Sequence, residues 1–233
     1  EAQTEASSAK SLVEDDEKID LAQVKQLFSN TTFWYISLLC VTFYSAVFPF
    51  MSYAPDLLVN KFGMSEQMSG LSMSLLPFGT MVVTPFLGYF IDKWGKAATM
   101  MIIGSVLLLV VHLIFALTQV WPYIPIALLG IAFSLVPAAL WPSVAKLVKD
   151  SQLGTAYGLM GAVQNIGLAI FPMLAGYILD ISNPTVTSEL VAAGKASYDY
   201  TITMLMFAGL GLVGLLFSFL LLRADRKYQT GLE

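Results

Sequence analysis

Charged residues are spaced so widely along this chain that long stretches of it contain none. Asp, Glu, Lys and Arg are all absent from residues 26–55, 67–91, 97–145, 151–179 and 200–222. A helix needs about 20 mostly apolar residues to cross a bilayer, so every stretch is long enough to span one. Only 12% of the residues are charged, against about a quarter in soluble domains. The sequence therefore predicts a protein that crosses a membrane several times by helices.

The stretch 97–145 is too long for one helix, and it divides before Pro122. A proline suits the first turn of a helix, and the preceding Trp121 suits a membrane interface. Six spanning helices are therefore predicted, at about 32–57, 67–91, 97–118, 122–146, 153–179 and 200–222. Residues 1–30 are predicted to be a cytoplasmic linker, and 224–233 a cytoplasmic tail. Within the linker, residues 19–28 have apolar positions at helical spacing, which fits an interfacial helix or an ordinary linker equally well.

The basic residues give an orientation for these helices. With six spans, ten of the twelve Lys and Arg residues fall on one side of the membrane, and only Lys61 and Lys195 fall on the other. Loops rich in Lys and Arg stay in the cytoplasm. Both termini of this integral, multi-pass protein are therefore predicted to be cytoplasmic.

A short pattern occurs twice at a constant distance. The residues GYFID at 88–92 return as GYILD at 176–180, and Gly79 is likewise followed by Gly167 at the same offset of 88 (176 − 88). A paired pattern at one offset indicates an internal duplication. Each copy would hold three helices, and an odd number of spans inverts the second copy in the membrane. The predicted fold is an all-α 3+3 inverted repeat.

The first copy continues into a loop with a recognisable form. Its sequence, GYFIDKWGK, resembles the signature loop of the major facilitator superfamily, in which Gly88, Asp92, Lys93, Gly95 and Lys96 match the pattern. The superfamily's last basic position is Ala97 in this chain, a departure typical of C-terminal halves. The runs FYSAVFPF, ALWPSVAKLV and the long segment 153–180 are similar to the lysosomal dipeptide-transporter branch and its bacterial relatives.

The resemblance implies that this chain is half of a twelve-helix transporter, with its six helices matching the second half of that fold. Its expected partners are the N-terminal half of the same transporter, membrane lipid and a small-molecule substrate, but not nucleic acid. The expected function is alternating-access transport of a small polar solute, with dipeptides suggested by the resemblance. The expected location is a bacterial inner membrane, with a lysosomal membrane as the alternative.

The resemblance also gives the signature loop a role. It implies that Asp92 and the basic residues lock one conformation against the other half. The chemistry of the residues adds that the loop glycines would let helix backbones approach closely, and that Asp92 would cap the next helix. A charged turn with a helix cap is the simpler alternative, and the two interpretations are compatible.

A substrate site is expected near the membrane midplane, on the first two helices of each repeat. Two adjacent carboxamides at that depth could bond both ends of a peptide amide. Asn165 bonding another helix and Trp141 packing at the cytoplasmic interface remain as structural alternatives. The expected substrate-binding residues are Tyr44, Phe48, Trp141, Gln164 and Asn165, with Ser45 and Ser134 beside them.

Two further polar residues invite more than one interpretation. His112, the only histidine, is predicted in the third helix, where it would bond a backbone carbonyl or serve as a proton relay. Asp56 ends the first predicted helix, where it would be a hydrated helix end or attract a substrate amine.

Catalytic and metal-binding functions find no support in the sequence. No Ser/His/Asp set, metal-ligand cluster, phosphate loop or dinucleotide motif occurs, and the single Cys40 has no partner. No enzyme activity, metal or cofactor is expected. The alternatives to dipeptide transport are a carrier for another small organic solute and a membrane scaffold or assembly subunit without transport.

Overall fold

The computed structural model describes residues 21–233, so the part of the predicted linker before Leu21 lies outside the described residues. Six of its helices, α2 to α6 and α8, are long and apolar enough to cross a membrane. The prediction of an all-α membrane protein with six spanning helices is confirmed. The helices are α1 Leu21–Phe28, α2 Thr31–Phe62, α3 Glu66–Trp94, α4 Ala97–Leu117, α5 Tyr123–Leu147, α6 Leu153–Ser182, α7 Ser188–Ala192 and α8 Thr201–Tyr228.

Helix α2 has a well-defined beginning and end. The Asn30 side chain accepts from the amides of Thr32 and Phe33 at 3.0 and 3.1 Å, which satisfies two of the free N–H groups of the first turn. The helix continues beyond Asp56, and Gly63 ends it with a φ of +67°. Glycine suits that left-handed position because it has no Cβ to clash with the backbone.

The packing of the spanning helices repeats itself within the chain. The contact of α2 with α8 corresponds to the contact of α5 with α4. The contact of α2 with α6 likewise corresponds to the contact of α5 with α3. Exchanging α2 with α5, α3 with α6 and α4 with α8 therefore exchanges these contacts. The α4–α8 contact maps onto itself. This is the arrangement expected of two inverted three-helix copies.

Glycines let several of these helices approach closely. A Cβ on Gly104 of α4 would clash with a methyl carbon of Val136 on α5. A Cβ on Gly211 of α8 would lie 3.1 Å from the Leu109 backbone on α4. In a bilayer, where lipid tails are as apolar as the side chains, such close packing contributes much of the attraction between helices.

One end of the bundle gathers the start of α2, the α3–α4 turn, the α5–α6 connection and the end of α8. The Asn30 side-chain Nδ2 donates to the Leu147 carbonyl at 3.2 Å, and the Lys146 Nζ donates to the Gly231 carbonyl at 2.8 Å. Helix α1 also lies there, with Leu27 buried in the core. Because most of the described Lys and Arg residues are at this end, we call it the basic end.

The opposite end joins α2, α4 and the start of α8. The Lys61 Nζ donates to the carbonyls of Phe115 and Ala116 at 2.6 and 2.9 Å, where α4 leaves carbonyls without helical partners. The exposed Asp56 accepts a hydrogen bond from the Tyr200 hydroxyl, so it is a helix-joining residue in this structure. Burial and the hydrogen bond to Asp56 raise the pKa of Tyr200 above its usual value.

Substituting Gly211 by leucine should destabilise the bundle. The position has no room for a side chain against α4, and overpacking costs about 1–3 kcal/mol. Thermal unfolding of the purified protein in detergent measures the loss. Gly209→Leu is the matched control, because Gly209 is exposed on the same helix and a Cβ there meets nothing within 4 Å. Equal melting temperatures for the two variants would contradict this account of the packing.

Candidate functional site

Five aromatic rings from three helices form one cluster, which we call the aromatic cluster. Tyr44 and Phe48 come from α2, Phe133 and Trp141 from α5, and Tyr157 from α6. Tyr44 and Phe48 are stacked at 5.7 Å between centroids, and Phe133 meets both edge-on at 6.3 and 5.6 Å. Phe48 is 41% exposed while Tyr44 is buried, so the cluster has a closed side and an open side.

Hydrogen bonds fix the three larger rings. The Trp141 Nε1 donates to the Tyr44 Oη at 2.9 Å, and the Tyr157 hydroxyl donates to the Trp141 carbonyl at 3.0 Å. Because the Tyr44 oxygen accepts from Trp141, its own proton remains available for another acceptor. The indole of Trp141 therefore links α2 to α5 rather than merely packing at an interface.

The two predicted carboxamides lie further along α6. Gln164 is half-buried and follows Tyr157 by seven residues, which is about two helical turns on the same face. Asn165 is exposed, and its Nδ2 donates to the Gly161 carbonyl of its own helix at 2.8 Å. Its hydrogen bond is thus within α6 and leaves the carboxamide oxygen for a ligand.

The structure therefore brings together three of the five predicted substrate residues, Tyr44, Phe48 and Trp141, and places the carboxamides on the adjoining helix. The neighbouring serines are buried within the bundle instead. Ser134 donates to the Gly130 carbonyl of its own helix at 2.8 Å. Ser45 packs against Gly167 of α6, where a Cβ would lie 2.5 Å from the Ser45 Oγ.

Sequence reasoning missed Phe133 and Tyr157. The spacing of seven residues between Tyr157 and Gln164 was the available signal, since it places both on one face of a helix. The contact of Tyr157 with the Trp141 carbonyl depends on how α5 meets α6, which the sequence alone does not give.

Helices α3 and α6 are the least buried of the spanning helices. Each turns a row of large apolar side chains outward, and these two rows, which we call the open faces, occupy equivalent positions in the two copies. On α6 the open face adjoins Asn165. The residues of the open faces are Leu71, Leu75, Phe78, Met81, Val82, Phe86 and Tyr89 on α3, and Ile166, Ile170, Met173, Leu174 and Tyr177 on α6.

Two predictions made for the signature loop, a close helix approach at Gly88 and a helix cap by Asp92, are not met in the structure. A Cβ on Gly88 would meet nothing within 4 Å, so this glycine does not serve a close helix approach among the described residues. Asp92 is exposed and does not cap α4, whose N-cap position is Lys96 without a side-chain bond. The Thr99 amide of that first turn instead donates to the Glu233 Oε1 at 2.6 Å.

The turn itself explains the spacing of the loop. Gly95 and Lys96 have φ values of +69° and +65°, so the chain reverses sharply between α3 and α4. The reversal leaves Asp92, Lys93 and Lys96 exposed at the basic end, beside the open face of α3. Charges in this position are accessible to another protein surface.

His112 is fully buried between α2, α4 and α8. Its Nδ1 lies 2.8 Å from the Leu108 carbonyl one turn earlier, and the rings of Phe50 and Phe207 cover it at 5.1 and 5.6 Å. A bond from Nδ1 to a carbonyl requires the proton to be on that nitrogen. The buried Nε2 has no hydrogen-bond partner among the described residues, and this favours the neutral histidine over the proton relay.

Comparisons with known proteins agree on the kind of protein. The family model described as Major Facilitator Superfamily matches residues 3–148 and 33–233. The Lysosomal dipeptide transporter MFSD1 of Homo sapiens is 40% identical over 164 residues, which are 70% of this chain and 35% of the relative. The Danio rerio protein of the same name is 36% identical over 165 residues. The chain thus spans about a third of the length of the curated relatives it matches.

A solved structure shares the fold. The crystal structure of a mutant of the peptide transporter POT in complex with alafosfalin superposes with a TM-score of 0.61 over 89% of this chain and 39% of that chain. The sequence identity is 17%, so this similarity concerns the fold alone.

Substituting Tyr44 by phenylalanine should lower the stability of the bundle. The variant removes the acceptor of the part-buried Trp141 N–H, and leaving such a donor unpaired costs at most about 1–3 kcal/mol. Thermal unfolding in detergent measures the change, and Tyr177→Phe, at a ring that is 63% exposed, is the control. If both variants melt alike, the Trp141–Tyr44 bond does not hold α2 to α5.

Proposed function

We propose, because the chain belongs to the major facilitator superfamily, that it is the C-terminal half of an alternating-access carrier for a small polar solute. The observation that carries the proposal is the hydrogen-bonded aromatic cluster, in which Phe48 is exposed and Tyr157 belongs to the exposed helix α6. A transport site at mid-membrane needs polar groups that face a cavity rather than lipid. The other wall of that cavity would be the N-terminal half, seated on the open faces of α3 and α6.

Dipeptides are the substrate class we favour. The curated relatives are named dipeptide transporters. The site supplies groups suited to a peptide: aromatic rings for an apolar side chain, the Tyr44 hydroxyl as a donor, and the carboxamides of Gln164 and Asn165 for the peptide bond. Among residues 21–233, no Lys, Arg, Asp or Glu lies beside the aromatic cluster, so the charged ends of a dipeptide would find partners in the other half.

Alternating access would follow from the packing. Helices α2, α4, α5 and α8 pack through glycines, so this half would move as one body against its partner. The lock residues Asp92, Lys93 and Lys96 would hold the basic ends together in one conformation, with Gly95 shaping the turn between α3 and α4. Rocking would expose the aromatic cluster to each side in turn.

We place the basic end in the cytoplasm, following the excess of Lys and Arg there. The membrane would be a bacterial inner membrane, with a lysosomal membrane, as in the names of the relatives, as the alternative.

Substituting Asn165 by leucine should reduce dipeptide uptake about tenfold, which corresponds to loss of one or two hydrogen bonds to the substrate. The chain would be reconstituted in liposomes with its N-terminal half, and saturable uptake of labelled dipeptides measured. Ile166→Leu, at the next exposed position, is the matched control. Unchanged uptake in Asn165→Leu would contradict this assignment. No saturable uptake by the two folded wild-type halves would favour the scaffold.

Substituting Asp92 by asparagine should slow uptake while leaving substrate affinity nearly unchanged. Loss of one exposed ionic contact with the other half would shift the conformational equilibrium by about fivefold at most. Uptake rate and equilibrium binding of a labelled dipeptide separate the two effects. Asp180→Asn is the control, since Asp180 is exposed at the same repeat position at the opposite end of the bundle. Equal slowing by both variants would argue against a lock at Asp92.

A further inference from the structure

A small groove lies between the start of α2 and the end of α8, at the basic end of the bundle. It encloses about 190 Å³, and its lining includes Thr31 and Tyr35 from α2 with Leu220, Arg223 and Lys227 from α8. The groove is separate from the aromatic cluster and from the signature loop.

Two cations face the groove together. Arg223 and Lys227 are four residues apart on α8, so they lie on one side of that helix, and both are exposed. The nearest acid on the helix, Asp225, is buried and accepts from the Thr230 hydroxyl at 2.6 Å and the Leu232 amide at 2.9 Å. Its carboxylate is therefore engaged on the other side and does not neutralise the pair.

The second wall of the groove adds to the positive potential. It is the N-terminal turn of α2, a helix of 32 residues with no acidic residue in its first turn. The neutral Asn30 caps this turn, so the positive end of the helix dipole is not offset by a carboxylate. Tyr35 and Tyr228 flank the site, and tyrosines are typical of the level of lipid headgroups.

The groove opens onto an apolar surface that leads into the membrane. Leu220, Leu216 and Leu212 follow at intervals of four residues below the cations, and Leu216 and Leu212 are 55% and 57% exposed. A bound molecule with a phosphate at the cations could therefore lay its hydrocarbon chains along this side of α8. A free anion would leave that surface unused.

We propose that this groove binds the headgroup of an anionic phospholipid. Arg223 and Lys227 would contact its phosphate, the start of α2 would add a favourable dipole, and Leu216 and Leu220 would contact the acyl chains. Basic pockets between transmembrane helices at this level suit anionic lipids. The site is independent of the transported substrate.

Native mass spectrometry of the purified protein tests the proposal. Incubated with phosphatidylglycerol or phosphatidylcholine, the wild type should retain phosphatidylglycerol. The double variant Arg223→Gln with Lys227→Gln should retain it about tenfold less. Arg226→Gln is the matched control, because it removes an exposed cation from another side of the same helix and should retain the lipid.

Two further arms separate folding and the source of the phosphate. The double variant Arg223→Lys with Lys227→Arg, which keeps both charges, should bind phosphatidylglycerol, with a melting temperature like that of the glutamine variant. Equal retention by wild type and glutamine variant, equal loss in Arg226→Gln, or equal retention of phosphatidylcholine would each overturn the proposal. So would retention of inorganic phosphate in place of lipid.

Discussion

A backbone N–H or C=O group in the hydrocarbon of a membrane has no water to bond, and the whole structure depends on satisfying such groups within the chain. Helices do this segment by segment, which is why the uncharged stretches fold as helices. Polar side chains within the spans follow the same constraint. Thr42 donates to the Leu38 carbonyl at 2.9 Å, and Asn165 donates to that of Gly161. A polar residue can therefore sit on a lipid-level helix without a distant partner, and still offer its remaining groups to a ligand.

Association between the helices depends on a second property, the absence of side chains at contact points. Gly104 on α4 lies against α5, Gly167 on α6 lies against α2, and Gly211 on α8 lies against α4. A Cβ would clash at Gly104 and Gly167 and would be crowded at Gly211. The equivalent of Gly167 in the other copy, Gly79, meets nothing within 4 Å. The two copies thus share a plan but differ in detail. The contacts unite the bundle while α3 and α6 keep open faces.

The sequence predicts the fold class and the number of spanning helices well. Charged residues are excluded from the hydrocarbon core, so the uncharged stretches mark the spans directly. The sequence predicts helix ends less well. Asp56 looks like a boundary, but α2 continues beyond it, since the carboxylate bonds Tyr200 across the bundle and the helix stops only at Gly63. Predicted depth in the membrane placed Tyr44 and Trp141 at a similar level, and the structure shows them hydrogen-bonded to each other. Predicted depth could not show Tyr157 or exclude capping by Asp92, because both depend on the angle at which neighbouring helices or turns meet.

Charged residues join parts of the chain at both ends of the bundle, since Lys146 donates to the Gly231 carbonyl at the basic end, but the cations left exposed lie mostly at the basic end. At the end opposite the basic one, Lys61 donates to carbonyls of α4 and Asp56 accepts from Tyr200, so charge is used to join helices. At the basic end, Lys93, Lys96 and Arg223 are exposed. Exposed surface cations gain little from pairing within one chain. They contribute most when a second surface, either a protein half or a layer of anionic headgroups, comes within a Debye length of them. An excess of such cations at one end therefore leaves that end ready to bind a second surface.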